Sequence, residues 1–198
     1  MENPTQLENF CVDYARKLGD VLASSDWSGV VQLGQEMRDC WAAGQQVFFC
    51  GNGGSAGNAI HLANDFLYGI AKRTGGGMKV QALSANPAVI TCLANDVGYD
   101  DIYSEQLAVL GQSGDLLVVL SGSGNSPNIL RVLEQAKTMS VKSCAILGYT
   151  GGRCKSLADL AIHFPVDDMQ VAEDMQLVVG HILMKWLYQN QPQVRSLL

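Results

Sequence analysis

Two glycine- and serine-rich turns constrain this chain more than any other feature. They are Gly51-Asn52-Gly53-Gly54-Ser55 and Ser121-Gly122-Ser123-Gly124-Asn125-Ser126. Each directly follows an apolar run, Gln46-Val47-Phe48-Phe49-Cys50 and Asp115-Leu116-Leu117-Val118-Val119-Leu120, and each opens a helical pattern. Glycine lets the backbone turn tightly and lets a ligand approach the main chain. The free N–H groups of a helix start and the positive end of its dipole favour an anion, and serine hydroxyls add donors. Taken singly, either turn is equally a strand–helix connection that needs glycine for geometry alone. Two such turns in one parallel sheet predict one phosphorylated small molecule held from two sides. The first turn lacks the lysine of a P-loop, and Ala56 stands where a dinucleotide fingerprint has its third glycine.

The periodicity around these turns predicts alternating strands and helices. Two helices come first, over 5–24 and 27–43, with Ser24-Ser25-Asp26 as the break and cap between them. Strands are expected at 46–50, 79–83, 115–120, 142–148 and 161–165. Helices are expected at 55–70, 86–95, 102–111, 127–138 and 168–189, with a short one from Gly151-Gly152 to Leu160 and a frayed tail from Asn190. Pro127 suits a first helical turn. This alternation means a parallel sheet covered on both faces, with ligands at the carboxyl ends of its strands, where both glycine turns lie.

At 198 residues the chain is expected to form one domain, 1–198, with 1–44 a helical pair that packs in an oligomer. Only 16% of the residues are charged against 47% hydrophobic, which leaves few charges to cover the outside and points to surface buried between subunits. The net charge of −6 and pI near 4.9 argue against a nucleic-acid partner. The six cysteines form no C-x-x-C pair, so buried free thiols in a reducing compartment are expected. Met1-Glu2-Asn3-Pro4 shows no signal-peptide pattern, and no apolar run is long enough to span a membrane. A cytoplasmic location and no membrane partner follow as expectations.

His61 and Asp65 lie four residues apart on the helix behind the first turn, hence on one face. Glu173 and His181 lie on the last helix, eight residues apart. Two imidazoles and two carboxylates make a donor set for zinc or a similar ion, and the same groups can move protons between adjacent carbons. A packed histidine, and first-turn acids complementing a helix dipole, are the competing readings of these residues.

Cys50 to Ser55 with His61, then Asn95-Asp96-Val97-Gly98-Tyr99, then Ser121 to Ser126, resemble the SIS (sugar isomerase) domain in its phosphoheptose isomerase branch. The resemblance implies a flavodoxin-like three-layer α/β fold, a homotetramer, and active sites built between subunits. It implies phosphate held by Ser55, Ser121, Ser123 and Ser126, sugar contacts at Asn52, Gly53 and Asp96, and a zinc site of His61, Asp65, Glu173 and His181. Asp65 and His181 are the implied acid/base pair, interconverting sedoheptulose 7-phosphate and D-glycero-D-manno-heptose 7-phosphate through an enediol. The chain departs from the pattern at Asp65 (glutamate in the family), Glu173 (glutamine) and Gly122 (threonine), and an expected arginine is missing at Gly69 or Ile70. Those departures leave two alternatives: an isomerase of another sugar phosphate, or a non-catalytic phosphosugar-binding protein.

Overall fold

A computed structural model describes residues 4–192. Two helices, α1 (Pro4–Ser24) and α2 (Ser28–Ala42), precede strand β1 (Gln46–Gly51) and helix α3 (Gly54–Leu67). Then follow β2 (Lys79–Ala82), α4 (Pro87–Asp96), α5 (Ser104–Leu110), β3 (Leu116–Ser121), α6 (Pro127–Thr138), β4 (Lys142–Leu147), α7 (Cys154–Leu157), β5 (Leu160–His163) and α8 (Met169–Gln189). The strands make one sheet in the order β2-β1-β3-β4-β5, and every pairing is parallel. This is the flavodoxin-like order, whose connections diverge between the first and third strands. That divergence opens a crevice at the carboxyl ends of β1 and β3.

The strands alternate between two cores. Val47, Phe49, Leu116, Val118 and Leu120 face one side, where α2, α3 and α8 supply Leu33, Met37, Leu62, Phe66, Met175 and Val179. Phe48, Cys50, Leu117 and Val119 face the other, against Leu107 of α5 and Ile129, Val132 and Leu133 of α6. Side chains of consecutive strand residues point to opposite faces, so apolar runs such as Leu116–Leu120 serve both cores.

Most element boundaries fall within a residue or two of expectation. The helix expected to reach residue 70 ends at Leu67, and a separate 3-10 turn spans Gly69–Ala71. Tyr68 leaves helical geometry there, with φ −122°. The helix expected from 102 starts at Ser104, after a 3-10 turn at Tyr99–Asp101. Asp26 accepts from Ser28 N and so fastens the start of α2. Asn190 closes α8 on the carbonyls of Trp186 and Leu187. The tail expected to fray from there is instead fastened at Gln191, whose Nε2 donates to Ile70 O at 2.7 Å and whose Oε1 accepts from Thr74 Oγ1 at 2.9 Å; residues 193–198, like Met1–Asn3, lie outside the described residues.

Helix α1 is packed along only half its length. Tyr14, Leu18 and Val21 meet Val166, Val171 and Ala172. Tyr14 donates to Asp174 Oδ2 at 2.5 Å, and Lys17 pairs with Asp168 at 2.7 Å. Leu7 and Phe10, toward its N-terminus, are each 68% exposed. All six cysteines are free. Cys40, Cys50, Cys144 and Cys154 are buried, whereas Cys11 on α1 and Cys92 on α4 are exposed, because those helices bury little on the sides that carry them. Among the described residues, no helix is long and apolar enough to cross a membrane.

Candidate active site

The two turns meet at one pocket. Asn52, Gly53, Gly54 and Ser55 line it from the first turn, and Ser121, Gly122, Ser123 and Ser126 from the second; its volume is about 280 Å³. Gly53 precedes α3 with φ +57°, a conformation that side-chain-bearing residues rarely adopt. Gly124 has φ +65°, and a Cβ there would lie 2.0 Å from Gly151 O. Glycine at these two positions brings both helix starts to the crevice.

The serine hydroxyls share a common arrangement. Ser121 Oγ accepts from Gly124 N at 3.1 Å, and Ser123 Oγ from Asn125 N at 3.3 Å. Ser126 occupies the N-cap position of α6 but makes no capping bond with its side chain. A serine there ordinarily accepts from the first-turn N–H groups. Its hydroxyl is left to the pocket it lines.

Asn52 is held by neighbours that sequence reasoning did not single out. Its amide and that of Asn128, on α6, bond reciprocally at 2.8 and 2.9 Å. This pair ties the two turns together. Tyr103, buried, donates to Gly51 O at 2.5 Å and also approaches Asn52 Oδ1. Burial pushes the Tyr103 phenol above its ordinary pKa, so it remains a donor. The available signal was Asn128 itself, a polar residue facing inward beside Ile129 and Leu130, which a fold can bury only if it is paired. Asp96 ends α4, outside the pocket lining. Its carboxylate accepts from Asn95 Nδ2 at 2.7 Å and approaches Cys92 Sγ at 3.5 Å.

A second cluster lies farther along α3. His61 Nε2 and His181 Nε2 face each other at 3.0 Å, and Asp65 Oδ2 is 3.5 Å from the first and 3.7 Å from the second. These three donors lie within 4.8 Å of one another. Two neutral imidazoles and a carboxylate are a catalytic-type zinc donor set. Glu173 is not among them. It stands over Gly54, where an added Cβ would be 2.2 Å from Glu173 Oε2. The N-terminus of α3 favours a carboxylate at that place.

Fold and site together define a parallel α/β protein with a glycine- and serine-lined pocket at the strand ends and a histidine–carboxylate cluster beside it. The SIS domain family model matches residues 11–148. The phosphoheptose isomerase of Akkermansia muciniphila is 39% identical over 154 residues, covering 78% of this chain and 81% of that protein. That of Rhodospirillum rubrum is 37% identical over 182 residues, covering 90% and 93%. The structure of a phosphoheptose isomerase from Francisella tularensis superposes with a TM-score of 0.87 at 25% identity, covering 96% of this chain and 100% of that one. The chain belongs to the SIS domain family, in its phosphoheptose isomerase branch.

Proposed function

We propose that this chain interconverts sedoheptulose 7-phosphate and D-glycero-D-manno-heptose 7-phosphate. As a member of its branch it is a phosphosugar isomerase. The observation that carries the heptose reading is a separation along one helix. Ser55 lies in the first turn of α3 and His61 six residues on, about 9 Å along the axis at 1.5 Å per residue. A phosphate held at the helix start therefore leaves a linear sugar room to bring its far end to the histidines. That suits a substrate with phosphate and carbonyl at opposite ends.

In the ketose-to-aldose direction a base takes a proton from C1 and the electron pair forms the C1–C2 double bond of an enediol. The C2 oxygen gains a proton and the C1 oxygen loses one. The proton delivered to C2 completes the aldose. Asp65 and His181 are the groups proposed to carry these protons, with Asn52, Gly53 and Asp96 on the sugar. Ser55, Ser121, Ser123 and Ser126 are proposed to hold the phosphate through charge-assisted bonds.

His61, Asp65 and His181 are the proposed holders of a zinc ion. Bound there, it would polarise the sugar oxygens as a Lewis acid. Glu173 was expected as a fourth ligand, and a place for it in that set requires it to leave Gly54. An ion and a proton compete for the Nε2 lone pair of His181, so Asp65, with two oxygens, is the better proton carrier in a loaded site.

The active form is proposed to be a homo-oligomer, a tetramer in line with the family, in the cytoplasm. Its support is apolar surface. Leu7 and Phe10 of α1 stand exposed, as do Val31 of α2 and Ile182 of α8, which line one groove. A panel of ketose phosphates assayed with and without added zinc tests the reading. Fastest turnover of sedoheptulose 7-phosphate is the expected result. Zinc binding with no turnover of any ketose phosphate would favour a non-catalytic protein.

A further inference from the structure

Gln176 is 1% exposed on α8, in a stripe with Ala172 and Gly180 that is otherwise small and apolar. Its amide touches nothing expected to react, yet its orientation is fixed from one end to the other. The fixed point is the backbone carbonyl of Glu173, which can only accept. Asn58 Nδ2 lies 3.0 Å from that carbonyl and 3.0 Å from Gln176 Oε1. The nitrogen of Asn58 therefore supplies both its hydrogens, and the atom of Gln176 facing it must be the oxygen. That leaves Gln176 Nε2 against Ser55 Oγ, at 3.0 Å. An amide nitrogen only donates, so Ser55 Oγ accepts, and its own hydrogen must point elsewhere. Among the described residues no acceptor for that hydrogen is found, and Ser55 lines the phosphate pocket.

We propose that Gln176 is a positioning residue for anion binding: it commits the Ser55 hydroxyl to donate into the pocket. The same polarity recurs at Ser121 and Ser123, whose oxygens accept from the backbone N–H groups of Gly124 and Asn125. Ser55 has Gln176 on α8 in the role that local backbone has at the other two. Three hydroxyls thus arrive with an acceptor position already filled and the hydrogen left for a ligand that offers only lone pairs, as a phosphate dianion does. Pre-setting the direction spares the ligand the cost of reorienting a hydroxyl that had bonded to protein. Only the identity of the ligand, a phosphate monoester, rests on the proposed function.

The test is calorimetric titration with inorganic phosphate, first of wild type, Gln176→Glu, Ser55→Ala and the double variant. A glutamate at 176 accepts where the amide donated, and so turns the Ser55 hydrogen away from the pocket. Gln176→Glu is expected to weaken phosphate binding about ten- to hundredfold in the wild-type background. In the Ser55→Ala background the factor should be at least severalfold smaller, because the hydroxyl through which Gln176 acts is gone. Gln176→Met, which removes the donor without adding charge, is titrated in the same two backgrounds. It guards against misfolding or charge repulsion by the glutamate. It should weaken binding only when Ser55 is present. Equal factors with and without Ser55, for both substitutions, would overturn the proposal and leave Gln176 a packing residue. Failure of wild type to bind phosphate at all would instead overturn the proposed function, and this proposal with it.

Discussion

Gly180 and Leu62 sit against each other so closely that a Cβ on Gly180 would lie 2.2 Å from Leu62 Cδ2. Each is the chain neighbour of a histidine, His181 and His61, whose Nε2 atoms stand 3.0 Å apart. The crossing of α3 and α8 closes on a glycine, and that closure brings together imidazoles 120 residues apart.

Gly180→Ala should therefore damage both stability and the cluster. A methyl group in this contact forces the helices apart or Leu62 out of its rotamer, at a cost of about 1–3 kcal/mol. Urea unfolding is expected to show that loss, and zinc titration a weaker site than in wild type. Unchanged zinc affinity would mean that the helix spacing does not set the cluster.

Among the described residues, Asp65 is the one carboxylate within reach of both imidazoles. Asp65→Asn removes its charge and its capacity to take a proton, and kcat is expected to fall at least about a hundredfold. Asp65→Glu adds the methylene that the family pattern has at this position. It is expected to turn over faster than wild type, since an error of about 1 Å in reach costs on the order of a hundredfold. Steady-state kinetics of the two variants on sedoheptulose 7-phosphate checks both statements.

Asn128→Asp places a carboxylate oxygen where Asn52 Oδ1 now receives a hydrogen bond. One bond of the reciprocal pair becomes a repulsion between acceptors. A loss of about 1–3 kcal/mol in unfolding free energy is expected, with KM rising about tenfold and kcat changing less. A variant with native KM would show that Asn52 keeps its place without Asn128.

The Tyr14 phenol is pushed up to about 12, first by its hydrogen bond to Asp174, then by burial and by the charges of Asp174 and Asp168. A raised acid stabilises the folded form below its unfolded pKa of about 10, and that contribution disappears as pH rises toward 12. Docking of α1 should weaken over that interval. Tyr14→Phe should cost about 1 kcal/mol near neutral pH and abolish this part of the pH dependence. Absorbance titration of the tyrosines, with unfolding curves at about pH 9 and pH 11, measures it.

The element order, the parallel sheet and the two glycine-rich turns were legible in the residues alone, because each leaves a local pattern. Apolar runs such as Leu116–Leu120 are strands by their own pattern, and Gly53 and Gly124 mark turns through backbone freedom that only glycine has. His61 and Asp65 could be placed on one face for the same reason, being four residues apart on one helix. The pairing of His61 with His181 depends on how closely two distant helices cross, and that is decided by Gly180 meeting Leu62. Glu173 and Gln176 show the same limit. Both lie on α8, three residues apart, and nothing local says that one carboxylate stands over Gly54 while the other side chain bonds Ser55. Periodicity gives the face a residue occupies; the atom it meets there is set by tertiary packing, which alone decides which buried polar groups find partners.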